Sequence, residues 1–217
     1  MGLRADGSVS MSLQPQPAGD EGLAHALARA QAGDSAAFRR LYRDLQPRLL
    51  RYLHVLAGPQ DAEDIASETW LQVTRDLAGF SGTYDGFRGW VSTIARHRAL
   101  DHLRRTQRKP ALPVATEDLA ALAATGHHAD TETAALDAVA THDAITLIAT
   151  LPPDQAEAVL LRAVLGLDAT TAGHVVGKRP GAIRTAASRG LGTLRRKLES
   201  GEAHLTGDRR TRGIPSR

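Results

Sequence analysis

Apolar residues along the chain recur at the spacing of helices. From 23 to 57, Phe38, Leu41, Tyr42, Leu45, Leu49, Leu53 and Leu56 fall three or four apart, which predicts helix. Asp34 is placed to cap this part of the stretch, Pro47 to kink or break it, and Gly58-Pro59 to end it. A second helix is predicted over 60–78, where Ile65, Thr69, Val73 and Leu77 repeat every four residues. Asp61, Glu63 and Asp64 crowd its first turns, where the helix dipole favours acids. "GFSGTYDG" (79–86) reads as a loop from its glycines. A third helix comes next, with Phe87, Trp90, Val91 and Ile94 as its apolar face, Leu100 and Leu103 as a weaker extension, and Pro110 as its stop.

The second half repeats the theme. Residues 134–150 predict a weak helix. Pro152 and Pro153 suit the start of another, whose face is Ala156, Val159, Leu160, Ala163, Val164 and Leu167. A short helix over 169–176 ends at Gly177. A longer one succeeds it, with the core stripe Ile183, Ala187, Leu191, Leu194 and Leu198. Period-two alternation is nowhere visible. The expected fold is all-α: a bundle of three or four helices (23–110) and a helix-turn-helix domain (145–200). A flexible acidic linker (111–144) joins them, and flexible tails flank them at 1–22 and 201–217.

Charge sharpens this division. Residues 34–110 hold 13 Lys+Arg against 9 Asp+Glu, 111–150 hold 6 acids and no Lys or Arg, and 151–200 hold 8 Lys+Arg against 4 acids. Two basic blocks therefore flank an acidic one, a distribution that suits a polyanion bound at two places. Residues 88–109 alone carry seven basic residues and one acid, Asp101, a density that repels itself unless an anion neutralises it.

Two surfaces are candidates for binding. Between Lys178 and Lys197 there are seven basic residues and no acid. Arg184, Ser188 and Arg195 share a face away from the core stripe, with Thr185, Arg189 and Arg196 beside them. Arginine there suits phosphates or guanine edges, and Ser or Thr suits phosphates; a solvated basic face is the plainer alternative. In the first block, Phe80 and Tyr84 are placed either to meet an unpaired base or to pack the loop down, while Trp90 reads first as core. Asp61, Asp64 and Glu68 would repel DNA, so their helix faces either a protein or solvent.

Other chemistry is excluded more readily. With no cysteine there is no disulfide, thiolate metal site or cysteine nucleophile, which fits a reducing cytoplasm. No apolar run approaches a membrane span, and the N-terminus lacks the apolar core of a signal peptide. "GHHAD" (126–130) is a histidine pair in the linker and is not read as a metal site. No phosphate-binding glycine loop or nucleophile elbow is present. No metal, cofactor or catalytic residue is expected, and the chain is not read as an enzyme.

The order of these elements resembles a known family. "DAEDIASETWLQVTRDLAGF", then "FRGWVSTIARHRALDHLRR", then a linker, then "LPPDQAEAVLLRAVLGL" and "TTAGHVVGKRPGAIRTAASRGLGTLRRKL" is similar to the bacterial RNA polymerase sigma factors of the extracytoplasmic-function group, over about 34–109 and 145–199. The resemblance implies that Asp61, Asp64, Glu68 and Gln72 dock on the β′ clamp helices of core RNA polymerase. It implies that Phe80, Tyr84, Arg88, Arg96, His97, Arg98, Arg104 and Arg105 hold the −10 promoter element. Lys178, Arg179, Arg184, Thr185, Ser188 and Arg189 would read the −35 element, with the second domain also near the β flap. An anti-sigma protein is a further implied partner. His97 replaces the family's asparagine after "IAR", and "GHV" (173–175) replaces a Glu-Ile-Ala string. The competing reading is a stand-alone helix-turn-helix regulator, which would have no use for the acidic helix.

Overall fold

A computed structural model describes residues 20–108 and 143–200. Among them every regular element is helical: α1 (Asp20–Gln31), α2 (Ser35–Ala57), α3 (Pro59–Asp76), a 3-10 turn (Leu77–Gly79) and α4 (Tyr84–Arg108) in the first half. The second half holds α5 (143–149), α6 (Pro153–Val159) with a π turn (Leu160–Val164), α7 (Ala169–Val176) and α8 (Pro180–Glu199). The expected tails, the linker and "GHHAD" fall outside the described residues, except that 20–22 and 143–144 are helical.

The predicted stretch 23–57 is two helices. Gly33, at φ 91°, turns the chain between them, and Asp34 caps α2 by accepting from the backbone N–H groups of Ala36 (2.8 Å) and Ala37 (3.1 Å). Pro47 neither breaks nor interrupts α2, which runs unbroken to Ala57 with Pro47 on its exposed side. Leu41, Leu45, Leu49 and Leu53 are fully buried, each contributing about 1.5–3 kcal/mol. Ile65, Thr69, Val73 and Leu77 of the α3 region are buried as predicted, and Trp70 joins them, donating its indole N–H to Gln46 (2.6 Å).

The loop before α4 is shorter than 79–86. Thr83 caps α4 by accepting from the Gly86 N–H at 3.2 Å, so Tyr84, Asp85 and Gly86 are already helical.

In the second half the π turn changes the register. Leu165 N–H donates to the Leu160 carbonyl, five residues back, and the extra residue rotates the chain beyond it. Leu161 and Leu165 are fully buried, while Ala163, predicted inward, is exposed and Val164 half-buried. On α8, Ile183 and Ala187 are buried as predicted, but Leu191 and Leu198 are exposed. Gly190 takes the core position instead, because a Cβ there would lie 2.7 Å from Val159 Cγ2. The α6–α8 crossing is too close for a side chain at that point.

The two halves share one continuous core. α7 lies against α4 as well as α8, and the π turn lies against α2.

Candidate nucleic-acid interface

α7, the turn at Gly177 and α8 form the helix-turn-helix. Asp168 caps α7 by accepting from the Thr170 and Thr171 N–H groups, and Gly177 ends it in the left-handed region at φ 69°. Gly173, inside α7, lets the turn come close: a Cβ would stand 2.5 Å from the Lys178 carbonyl oxygen. Pro180 then opens α8. All six residues predicted for this surface, Lys178, Arg179, Arg184, Thr185, Ser188 and Arg189, are exposed. Lys178 pairs with Asp154 at 2.7 Å.

The α4 surface is more divided. His97, Arg104 and Arg105 are exposed, and Arg104 pairs with Asp101 at 3.0 Å. Both loop aromatics pack inward. The Phe80 ring stacks on Trp90 at 5.1 Å, and Gln31 Nε2 donates to the Phe80 carbonyl at 2.5 Å. Tyr84 is buried and donates its hydroxyl to Asp44, so burial and then that carboxylate push its pKa far up.

Three arginines of α4 are drawn into contacts within the chain. Arg98 donates to Glu68 (2.8 Å) and to Gln72 (3.0 Å), tying α4 to the acidic face of α3. Arg88 is 8% exposed; it donates to Asp85 and, at 3.5 Å, to the Leu165 carbonyl of the second half. Arg96 Nε donates to Glu157 Oε1 at 2.7 Å, and the buried Tyr52 hydroxyl donates to the same oxygen at 3.0 Å. Burial opposes the Arg96 charge most strongly of any single cause, but the bond to Glu157 and the charges of Glu157 and Tyr52 together outweigh it and hold the guanidinium pKa above its ordinary value. Burial, followed by the Glu157 charge, raises the Tyr52 pKa well above the usual phenol value.

On α3, Asp64 and Glu68 are exposed, Gln72 is half-buried, and Asp61 lies 3.1 Å from His102 Nε2. Leu71 stands exposed among these residues. Glu157 was absent from the candidates. Its only sequence signal is that it is the single acid between Asp154 and Asp168, on a largely apolar helix. Among the described residues no cluster of His, Asp and Glu could hold a metal, and no helix is long and apolar enough to cross a membrane.

A basic helix-turn-helix beside a helical bundle, with an acidic outward helix, defines a two-part DNA-binding protein. Residues 41–109 match the Sigma-70 region 2 family and residues 142–194 the Sigma-70 region 4 family. The chain is 35% identical over 173 residues to the ECF RNA polymerase sigma factor BldN of Streptomyces coelicolor, covering 78% of this chain but 63% of that protein. It is 33% identical to the ECF RNA polymerase sigma factor ShbA of Streptomyces griseus (79% and 92% covered) and 30% identical to the ECF RNA polymerase sigma factor SigD of Mycobacterium tuberculosis (88% and 88%). CnrH, solved with the cytosolic domain of CnrY, shares the fold at a TM-score of 0.53 and 18% identity, over 81% of this chain and 96% of that one. The chain belongs to the extracytoplasmic-function RNA polymerase sigma factors, and its function is that of a sigma factor in transcription initiation. That membership displaces the stand-alone regulator.

Proposed function

We propose that α3 docks on core RNA polymerase, that α4 with the loop before it takes the −10 element, and that α8 reads the −35 element. The observation that carries the reading is the exposed face of α8. Arg184, Thr185, Ser188 and Arg189 all point outward from the second helix of a helix-turn-helix, the geometry that places such a helix in a major groove. On α3, Asp64 and Glu68 share a helix face with the exposed Leu71, a mixed acidic and apolar surface suited to a protein partner. At the loop, a surface concavity of about 550 Å³ lined by Asp76, Gly79, Phe80, Ser81 and Trp90 offers an aromatic wall to an unstacked base.

Within this reading the protein works in the cytoplasm, carries no catalytic site of its own and takes an anti-sigma partner. The reading is tested by binding to a −35 duplex selected from random sequence by the protein with core polymerase. Wild type discriminates that duplex from a scrambled one, and loss of that discrimination in wild type would refute the assignment of α8.

A further inference from the structure

α1 ends at Gln31, before the match to Sigma-70 region 2 begins at residue 41, and the assignments of α3, α4 and α8 leave it without a part in promoter binding. Its last side chain nevertheless reaches the loop before α4. Gln31 Nε2 donates to the Phe80 carbonyl at 2.5 Å and to the Leu77 carbonyl at 3.4 Å. Both partners are acceptors, so the NH2 end of the amide, with its two donors, is the end that meets them. These carbonyls stand at the two ends of the 3-10 turn, and Phe80 carries the ring that walls the concavity of about 550 Å³. We propose that Gln31 is a positioning residue for −10 recognition, holding the loop so that the Phe80–Trp90 wall stands ready for an unstacked base. The proposal rests on the base-binding reading of that concavity.

The tie is anchored at both ends. On the α1 side, Leu27 and Ala30 are buried, and the turn that follows Gln31 is closed by the Asp34 N–H on the Arg29 carbonyl at 3.0 Å. Arg29 also pairs with the Asp34 carboxylate, which in turn caps α2. The backbone on which Gln31 stands is therefore fixed from both sides. On the loop side, the Phe80 N–H donates to the Leu77 carbonyl at 3.1 Å, and the Phe80 ring meets Trp90 at 5.1 Å and the edge of Phe87 at 5.9 Å. The chain also passes close over that ring, because a Cβ on Gly82 would lie 3.0 Å from Phe80 Cζ. The rest of the loop has little to hold it. Ala78, Gly79, Ser81, Gly82 and Thr83 are exposed, and its two glycines leave the backbone free to turn. Released from Gln31, the Phe80 peptide group can rotate and carry the ring off Trp90. A base that meets a wall already in place loses less of its binding to the ordering of the loop.

The test uses holoenzyme reconstituted from the full chain and core RNA polymerase. The probe is a labelled −10 single strand selected from a random pool by wild-type holoenzyme, with one abasic site moved along it. Wild type loses about tenfold in affinity where the missing base is the one that meets the wall, and Phe80→Ala marks that position by abolishing the loss there. Gln31→Met keeps the length of the side chain and removes its donors. Expected is a fall of the same penalty to about threefold or less, because the stack is no longer held in place. The bonds of Gln31 end on the loop, so penalties at the other positions, polymerase co-elution and −35 discrimination stay as in wild type. Adding Gln31→Met to Phe80→Ala changes nothing further, because the amide acts through the ring. Gln31→Lys keeps an N–H donor at similar reach and restores the wild-type penalty. A wild-type penalty in Gln31→Met overturns the positioning role alone. So does a loss spread over every position, or a loss of co-elution, which a merely structural amide would give. A penalty as low in Gln31→Lys as in Gln31→Met also overturns it. If no abasic site weakens wild type, or if Phe80→Ala leaves every penalty in place, the base-binding reading of the loop falls and the positioning role falls with it.

Discussion

Gly173 and Gly192 lie in successive helices of the same domain, and their surroundings give them opposite expectations. Gly173→Ala drives a methyl to 2.5 Å from the Lys178 carbonyl, a backbone atom that cannot swing aside, so the turn shifts and stability falls by about 1–3 kcal/mol. Gly192→Ala meets nothing within 4 Å and replaces a helical glycine, so stability rises by up to about 1 kcal/mol. Urea unfolding of the two variants checks both signs, and equal signs would contradict this packing. Arg184→Ala loses about 1–3 kcal/mol of −35 discrimination if it meets a base edge, measured by anisotropy on cognate and scrambled duplexes. Arg184 and Ser188 were legible in the sequence because outward position on a single helix follows from its period alone. Gly173 read only as part of the "GHV" that replaces a Glu-Ile-Ala string, since nothing local reveals the carbonyl that approaches it.

At the level of elements, period and capping carried far. The stripe Ile65, Thr69, Val73, Leu77 is buried where it was expected, and Asp34 caps α2. The misses have physical causes. A π turn rotates Ala163 out, and a close crossing at Gly190 displaces Leu191 from the core. Both depend on a partner helix, which periodicity does not see. The two capping aspartates make a pH prediction. The Ala37 N–H holds the Asp34 carboxyl below the ordinary value of 3.8, and the Thr171 N–H does the same for Asp168. A depressed folded-state pKa contributes stability that is complete above the unfolded value and lost as pH falls through the folded one. The stability lost by Asp168→Asn therefore shrinks toward zero below about pH 3.8, by urea unfolding across pH. A difference that persists in acid would contradict the charged cap.

For the whole molecule, two helical halves and their helix-turn-helix were legible, and so was the family. Their docking was not. The Arg96–Glu157 pair spans 61 positions and the Tyr52–Glu157 pair 105, separations over which a single sequence carries no pattern. The same docking explains why the basic face of α4, read as a DNA-binding face, is partly covered. The central claim is that this chain directs polymerase to promoters through a protein-facing α3 and DNA-facing α4 and α8. Of the α3 acids, Asp64 is the best one to reverse, because it is exposed while Asp61 also faces His102 and Glu68 also holds Arg98. The most direct measurement is run-off transcription by core RNA polymerase on a genomic promoter library, with wild type and with Asp64→Arg. The account predicts transcripts from a defined promoter set with wild type, and their loss together with polymerase co-elution in a variant that unfolds at the wild-type urea midpoint. Transcripts and co-elution undiminished by the reversal would contradict the role given to α3, and no defined transcripts with wild type would contradict the account as a whole.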